Sequence, residues 1–212
     1  MCVKSCPAEA LSTAGKEMKA GEVVEEVLRD EAFFRTSGGG VTLSGGEPLM
    51  QGEFAFAISS LLKEKGIHIC LETSGFAPSE TIFQIAPFVD TFLFDYKISR
   101  EEDHKKYVGV SQKKILENLK GISKLGKNIV LRCPIIPQIN DHEEHFRAIA
   151  SLAEQTESVS SVRLEPYHPY GLKKYEALGF SPLYDREGEM EENEIRLAKE
   201  IIASLTEKEV IL

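Results

Sequence analysis

The chain has 212 residues, 25 Lys+Arg against 34 Asp+Glu, a formal charge of −9 and 42% apolar residues. This suits one globular domain able to bury a core without staples. The acidic balance excludes general nucleic-acid binding, because a negative surface repels phosphates. No apolar run approaches the ~20 residues of a membrane span. Cys2, Cys6, Cys70 and Cys133 are too scattered for a disulfide framework, and the first residues lack an apolar signal region. A reducing cytoplasm is therefore the expected setting.

In chain order, Val23, Val24, Val27 and Leu28 predict a helix over about 21–34. Gly38-Gly39-Gly40 stops it, and Val41-Thr42-Leu43 reads as a short strand. Phe54, Ile58, Leu61 and Leu62 give a helical face closed by Gly66. Ile67 to Leu71 is a strand. A helix near 79–86 follows, with Ser79 as N-cap after Pro78. Thr91 to Phe94 is a strand, Ile115, Leu119 and Ile122 mark a helix ending at Gly126, and Asn128 to Leu131 is a strand. Asp141-His142-Glu143-Glu144 has capping-box spacing and opens a helix. Val162 to Leu164 is the fifth strand. Tyr170 to Gly188 reads as a long irregular segment, either functional or a loop capping the domain. The last helix covers about 190–205.

Alternating strands and helices imply parallel βα units, either curling into a barrel or flanked by helices on both faces. In both cases a ligand site lies beyond the carboxyl ends of the strands. The first strand leads to Ser44-Gly45-Gly46-Glu47-Pro48, where glycines admit a ligand to the backbone and Glu47 offers an acceptor for an ammonium group. The second leads to Glu72-Thr73-Ser74-Gly75, a carboxylate and hydroxyls for a ribose or a cation, or simply a solvated helix start. Asp95 and Lys97 share one strand face and serve a ligand or pair with each other. Arg132 is a planar donor for a carboxylate. His168 follows the fifth strand. Acceptors and donors at one end suit an amino acid joined to a nucleoside.

The stretches Gly38 to Leu49, Cys70 to Phe76, Leu93 to Lys97, Tyr107 to Ser111, Arg132 to Pro137 and Pro166-Tyr167-His168 resemble, in order, the activating enzymes of glycyl radical enzymes, of the pyruvate formate-lyase activating type, within the radical S-adenosylmethionine superfamily. The resemblance implies an α/β partial (β/α) barrel, cofactors S-adenosylmethionine and a [4Fe–4S] cluster, and reductive cleavage giving a radical that takes hydrogen from a backbone glycine of a partner. It implies that Gly45, Gly46 and Glu47 hold the amino group and that Ser74, Lys97, Arg132 and His168 contact the rest of the cofactor. It further implies a monovalent-cation site at Glu72, Thr73 and Asp95. Partners would be a glycyl radical enzyme and a flavodoxin- or ferredoxin-type electron donor, with no nucleic acid and no membrane. Cys2 and Cys6, followed by Pro7, resemble the end of a ferredoxin-like auxiliary cluster run, so residues 1–14 read as the tail of such an insert and 15–212 as the barrel domain.

The CxxxCxxC motif of the family's catalytic cluster does not occur in these residues. The expectation is a truncated barrel, first strand and catalytic cysteine loop missing, with no catalytic residue in the chain. On that expectation it is inactive alone and self-associates through the open strand at 41–43. Cys70 and Cys133 read as packed core thiols. Two other functions compete: a Schiff-base aldolase-type barrel using Lys97, and a non-catalytic nucleoside- or peptide-binding module.

Overall fold

The computed structural model describes residues 3–8, 10–13, 15–182, 184, 186 and 188–212. Six parallel strands form one sheet in sequence order: β1 (Gly40–Leu43), β2 (His68–Thr73), β3 (Thr91–Asp95), β4 (Asn128–Ile135), β5 (Val159–Pro166) and β6 (Glu209–Ile211). Because each crossover returns to the next position with the same hand, the crossover helices that pack on the sheet fall on one face. The structure thus selects the partial barrel over a sheet covered on both sides.

The alternation of side chains fixes which residues meet the helices. Ile69, Leu71, Phe92, Phe94, Ile129, Leu131, Cys133, Val162 and Leu164 are buried on the helix side. They pack against α3 (Gly52–Glu64), α4 (Ser79–Ile85), α6 (Lys113–Lys124), α7 (Glu143–Gln155) and α9 (Glu192–Ala203), through Leu62, Ile82, Leu119, Ile149 and Ile202. The intervening positions Cys70, Glu72, Leu93, Asp95, Val130, Arg132 and Glu165 are only half-buried, on the open inner face. Cys70 is therefore not a packed core thiol. Its Sγ lies 3.9 Å from His68 Nδ1. Cys133 is fully buried, as expected.

Several elements differ from the sequence reading. The helix over 21–34 is two, α1 (Ala20–Leu28) and α2 (Glu31–Ser37), parted at Arg29-Asp30, where i→i+3 bonds tighten the first helix. α5 (Glu101–Val108) escaped the apolar pattern because His104 is its one buried residue, bonded to the Val110 carbonyl at 2.7 Å. Its polar signals were readable: three acids in the first turn, two lysines in the last, and Gly109 at φ 87°. α8 (Leu172–Leu178) breaks the irregular run expected over 170–188 and buries no residue. Tyr175 and Phe180 are exposed there, at 44% and 66%. β6 is too short to show alternation.

Two caps also differ. Pro78 is the N-cap of α4, and Ser79 Oγ instead donates to Asn118 Oδ1 and accepts from Lys114 Nζ. His142, rather than Asp141, caps α7, because the Asp141 carboxylate is taken by the Gln138 N–H at 2.7 Å. Among the described residues before Ala20 there is one 3-10 turn, Val3–Ser5. Cys2 lies outside the described residues, so the Cys2–Cys6 pair is not described.

Candidate functional site

The strand ends carry the site. The loop after β1 departs at Ser44, with Gly45 at φ 142°, a conformation that strains residues with a side chain. A Cβ added at Gly45 or Gly46 would meet nothing within 4 Å. The space around these two glycines is open.

Glu47 turns the other way. Its Oε1 accepts from Thr73 Oγ1 at 2.8 Å and Leu49 N at 3.2 Å. Its Oε2 accepts from Ser74 N at 2.9 Å and Ser74 Oγ at 2.6 Å. A carboxylate offers about four lone-pair positions, and four donors fill them. Glu47 thus ties the β1 loop to the β2 loop, and its side chain is not a vacant acceptor for an ammonium group.

Beside this brace a charge cluster crosses the inner face. Arg132 sits between Glu72 and Glu165, with Nε 3.0 Å from Glu165 Oε1 and Nη1 bonded to Glu72 Oε1. Asp95 Oδ1 is 3.9 Å from the same guanidinium, and Asp95 Oδ2 is 3.3 Å from Lys97 Nζ. Burial raises the Asp95 pKa, against the lowering pull of Lys97 and Arg132. Burial would lower that of Arg132, but hydrogen bonds to Glu72 and Glu165 outweigh it and the net shift is upward. Parallel pairing brings these groups together: Asp95 is opposite Arg132 in register, and Arg132 is opposite Arg163. Thr42, Ser44, Glu72, Arg132, Arg163 and Glu165 line one cavity of about 570 Å³. This lies within the roughly 300–1,000 Å³ of small-molecule sites.

The structure therefore joins Glu72, Asp95, Lys97 and Arg132, and adds Glu165, Arg163, Thr42 and Ser44. The signal for the added residues was available, since Arg163 and Glu165 are two apart on one strand face. His168 is not in this cluster. Its ring lies tilted by 32° against Tyr170, centroids 4.4 Å apart, and lines a second, aromatic cavity of about 240 Å³ with Tyr107, Tyr167 and Tyr175. The set Glu72, Thr73 and Asp95 is divided. Thr73 is buried on the helix side with its hydroxyl on Glu47, whereas Glu72 and Asp95 face inward on Arg132. Strand alternation makes this unavoidable, because residues 72 and 73 cannot share a face.

An S-adenosyl group fits this site: the cavity has the volume, and the Gly45-Gly46 backbone beside it is open. A [4Fe–4S] cluster does not fit the described residues. Among them no group of three or more His, Cys, Asp or Glu is disposed to hold a metal. Cys133 is buried behind the sheet.

A singly wound parallel sheet with a polar cluster at its carboxyl ends defines a partial-barrel α/β protein with a small-molecule site. The family described as the Radical SAM superfamily matches residues 5–150, and the chain belongs to it. It is 38% identical over 175 residues to the (2S)-3-sulfopropanediol dehydratase activating enzyme of Klebsiella oxytoca, covering 82% of this chain and 55% of that protein. It is 36% identical over 174 residues to the pyruvate formate-lyase 2-activating enzyme of Escherichia coli, covering 82% and 59%. The chain thus spans somewhat over half the length of these relatives. A solved domain of a pyruvate-formate lyase-activating enzyme from Bacteroides vulgatus has a TM-score of 0.67 at 24% identity, covering 82% of this chain and 99% of that one. This likeness shows the fold. Relatives of this chain are thus activating enzymes of glycyl radical enzymes.

Proposed function

We propose that this chain supplies the S-adenosylmethionine-binding and partner-facing part of a radical SAM activase for a glycyl radical enzyme. In a whole activase that also held an iron–sulfur cluster, S-adenosylmethionine would supply the radical chemistry that takes hydrogen from a partner's backbone glycine. The observation that carries the reading is the convergence of Glu72, Arg132 and Glu165 on one cavity whose Ser44 is next in sequence to the open Gly45-Gly46 loop, with Asp95 paired to Arg132 and Lys97 paired to Asp95.

In this reading each residue has a separate task. Gly45 and Gly46 present backbone groups to the cofactor. Glu47, held by Thr73 and Ser74, fixes that loop and acts through it. Lys97 and Arg132 meet the carboxylate, giving up part of their pairing with Asp95 and Glu72. His168, in the neighbouring aromatic cavity, flanks the nucleoside or the partner. Residues 1–14 are the end of a ferredoxin-like insert, and the setting is the cytoplasm with a flavodoxin- or ferredoxin-type donor. Relatives named for different partners match at 36–38%, so similarity favours no particular glycyl radical enzyme.

Calorimetry on the 212-residue chain tests the reading. S-adenosylmethionine and S-adenosylhomocysteine are expected to bind, and Gly45→Val and Lys97→Ala to weaken both. No binding, or binding indifferent to both variants, would overturn it. The chain holds no CxxxCxxC, so after reconstitution with iron and sulfide it is expected to form no 5′-deoxyadenosine. Appearance of that product would refute this part. The Schiff-base alternative is disfavoured because Lys97 is ion-paired with Asp95, while imine formation needs the neutral amine. Borohydride trapping would reveal it. We also propose that β1 mediates self-association, since β2 is its one ladder partner among the described residues. Light scattering that stays monomeric at high concentration would count against this.

A further inference from the structure

Strand β4 contains a proline where a parallel sheet needs a donor. The β3–β4 register runs to Asp95↔Arg132, with Tyr96 N donating to Arg132 O at 2.8 Å. The next residue of β4 due to donate toward β3 is Pro134, which has no N–H. Pro134 still pairs with Glu165 of β5, so β4 itself continues. On the other side the ladder stops, one residue after Asp95 and just before Lys97. The cluster's one lysine would then hang from an unfastened chain end.

A side chain closes the gap. Asn140 is fully buried. Its Nδ2 donates to Lys97 O at 2.8 Å and to Pro134 O at 2.7 Å, and its Oδ1 accepts from Ile136 N at 2.6 Å. Two carbonyls and one N–H around one amide allow a single orientation of that amide. The chain returns Asn140 to this place by a tight turn. Ile139 N and Asn140 N both donate to Ile136 O at 3.1 Å, and Gln138 takes φ 65°, rare for a residue with a side chain. The Asp141 carboxylate fastens Gln138 N at 2.7 Å.

We infer that Asn140 is a positioning residue: its amide bridges the two strands where Pro134 cannot donate, and so sets the backbone of Lys97 where its ammonium meets Asp95. The inference rests on the reading of Lys97 as a cofactor contact. Its geometry stands without that reading, because Asn140 fixes Lys97 whether or not a ligand is present. Asn140 itself lines neither cavity; its partner Ile136 lines the aromatic one, and its link to the charge cluster runs through Lys97.

Two readouts separate the clamp from the ligand. The first is the ¹³C signal of Lys97 in the reductively methylated chain, assigned with Lys97→Arg. It is expected to stand apart from those of exposed lysines and to move on Asp95→Asn. Asn140→Leu should return it to the exposed-lysine position. Ile122→Ala, a cavity-forming change at the far end of α6, lowers stability but should leave it in place. The second is calorimetry with S-adenosylmethionine. Asn140→Leu should weaken binding roughly tenfold, about the weight of one or two net hydrogen bonds. In a Lys97→Ala background it should weaken it no further.

A folded Asn140→Leu chain with an unmoved Lys97 signal overturns the inference, as does weakening that persists without Lys97. If wild type binds no S-adenosylmethionine, the functional reading fails and the Lys97 signal still decides the clamp. Should Asn140→Leu not fold, Asn140→Asp keeps the acceptor for Ile136 N and turns an oxygen on the two carbonyls, with the same expected displacement. In wild type the Ile136 amide should exchange only through global unfolding. Exchange at the rate of an open loop would also refute the clamp.

Discussion

Replacing Glu47 with alanine removes the acceptor that four donors share. Leu49 N, Thr73 Oγ1, Ser74 N and Ser74 Oγ lie 2.6–3.2 Å from its carboxylate. Hydrogen bonds to an ionised group are worth about 1.5–3 kcal/mol each when buried. Here the site is half open, and the Ser74 hydroxyl and amide can reach water. Thr73, which is 2% exposed, has the least access to a replacement. We therefore expect a net loss of about 2 kcal/mol, close to one such bond. For a chain of this size that lowers Tm by roughly 4–8 °C. Glu47→Gln should lose about half as much, since its one oxygen keeps Thr73 and Leu49 while its amide nitrogen faces the Ser74 N–H. Urea denaturation followed by circular dichroism gives the midpoints. Coupling to Ser74→Ala should be about 1 kcal/mol in a double-mutant cycle. An unchanged midpoint for Glu47→Ala, or strict additivity with Ser74→Ala, would refute the claim that Glu47 braces two loops.

Other expectations follow from the same geometry. Arg132→Met leaves Glu72, Asp95 and Glu165 facing one another without their shared cation, which should cost about 2–4 kcal/mol. It should also raise the Asp95 pKa further, read by ¹³C titration of its carboxyl. His145 is fully buried, neither ring nitrogen has a hydrogen-bond partner, and burial, then His142, lower its pKa to about 3. Between there and the ordinary ~6.5 the unfolded chain binds the proton and the folded chain does not, so stability falls as pH drops through this window. The slope is at most ~1.4 kcal/mol per pH unit, and denaturation midpoints for His145→Phe should lose it. Burial, then Asp95 and Glu165, push the Cys133 thiol up. Iodoacetamide should therefore label Cys133 only on unfolding, as mass spectrometry would show, and label half-exposed Cys70 slowly in the folded chain.

The helices and strands with a strong apolar period were legible because burial selects that period directly. Ile115, Leu119 and Ile122 predict α6, and all three are buried in it. α5 and α8 were not, because neither has an apolar stripe: one is held by its ends and by His104, the other buries nothing. The strand-end residues could be named from sequence because a parallel sheet delivers its loops to one side. Their partners could not. The residue types at Glu47 and Thr73 announce a polar site, yet nothing in their order says that the carboxylate turns onto Thr73 and Ser74.

By itself, then, the sequence determined the family, the parallel α/β class and the end of the sheet that bears the chemistry, since these follow from motif order and from the periods of two and 3.6. Only the tertiary structure decided which charges neutralise each other, that Thr73 lies behind the sheet while Glu72 lies before it, and that Asn140 completes the ladder at Lys97. Such pairings join residues dozens of positions apart. They depend on strand register and on where a turn brings one amide, and these are fixed when the layers pack.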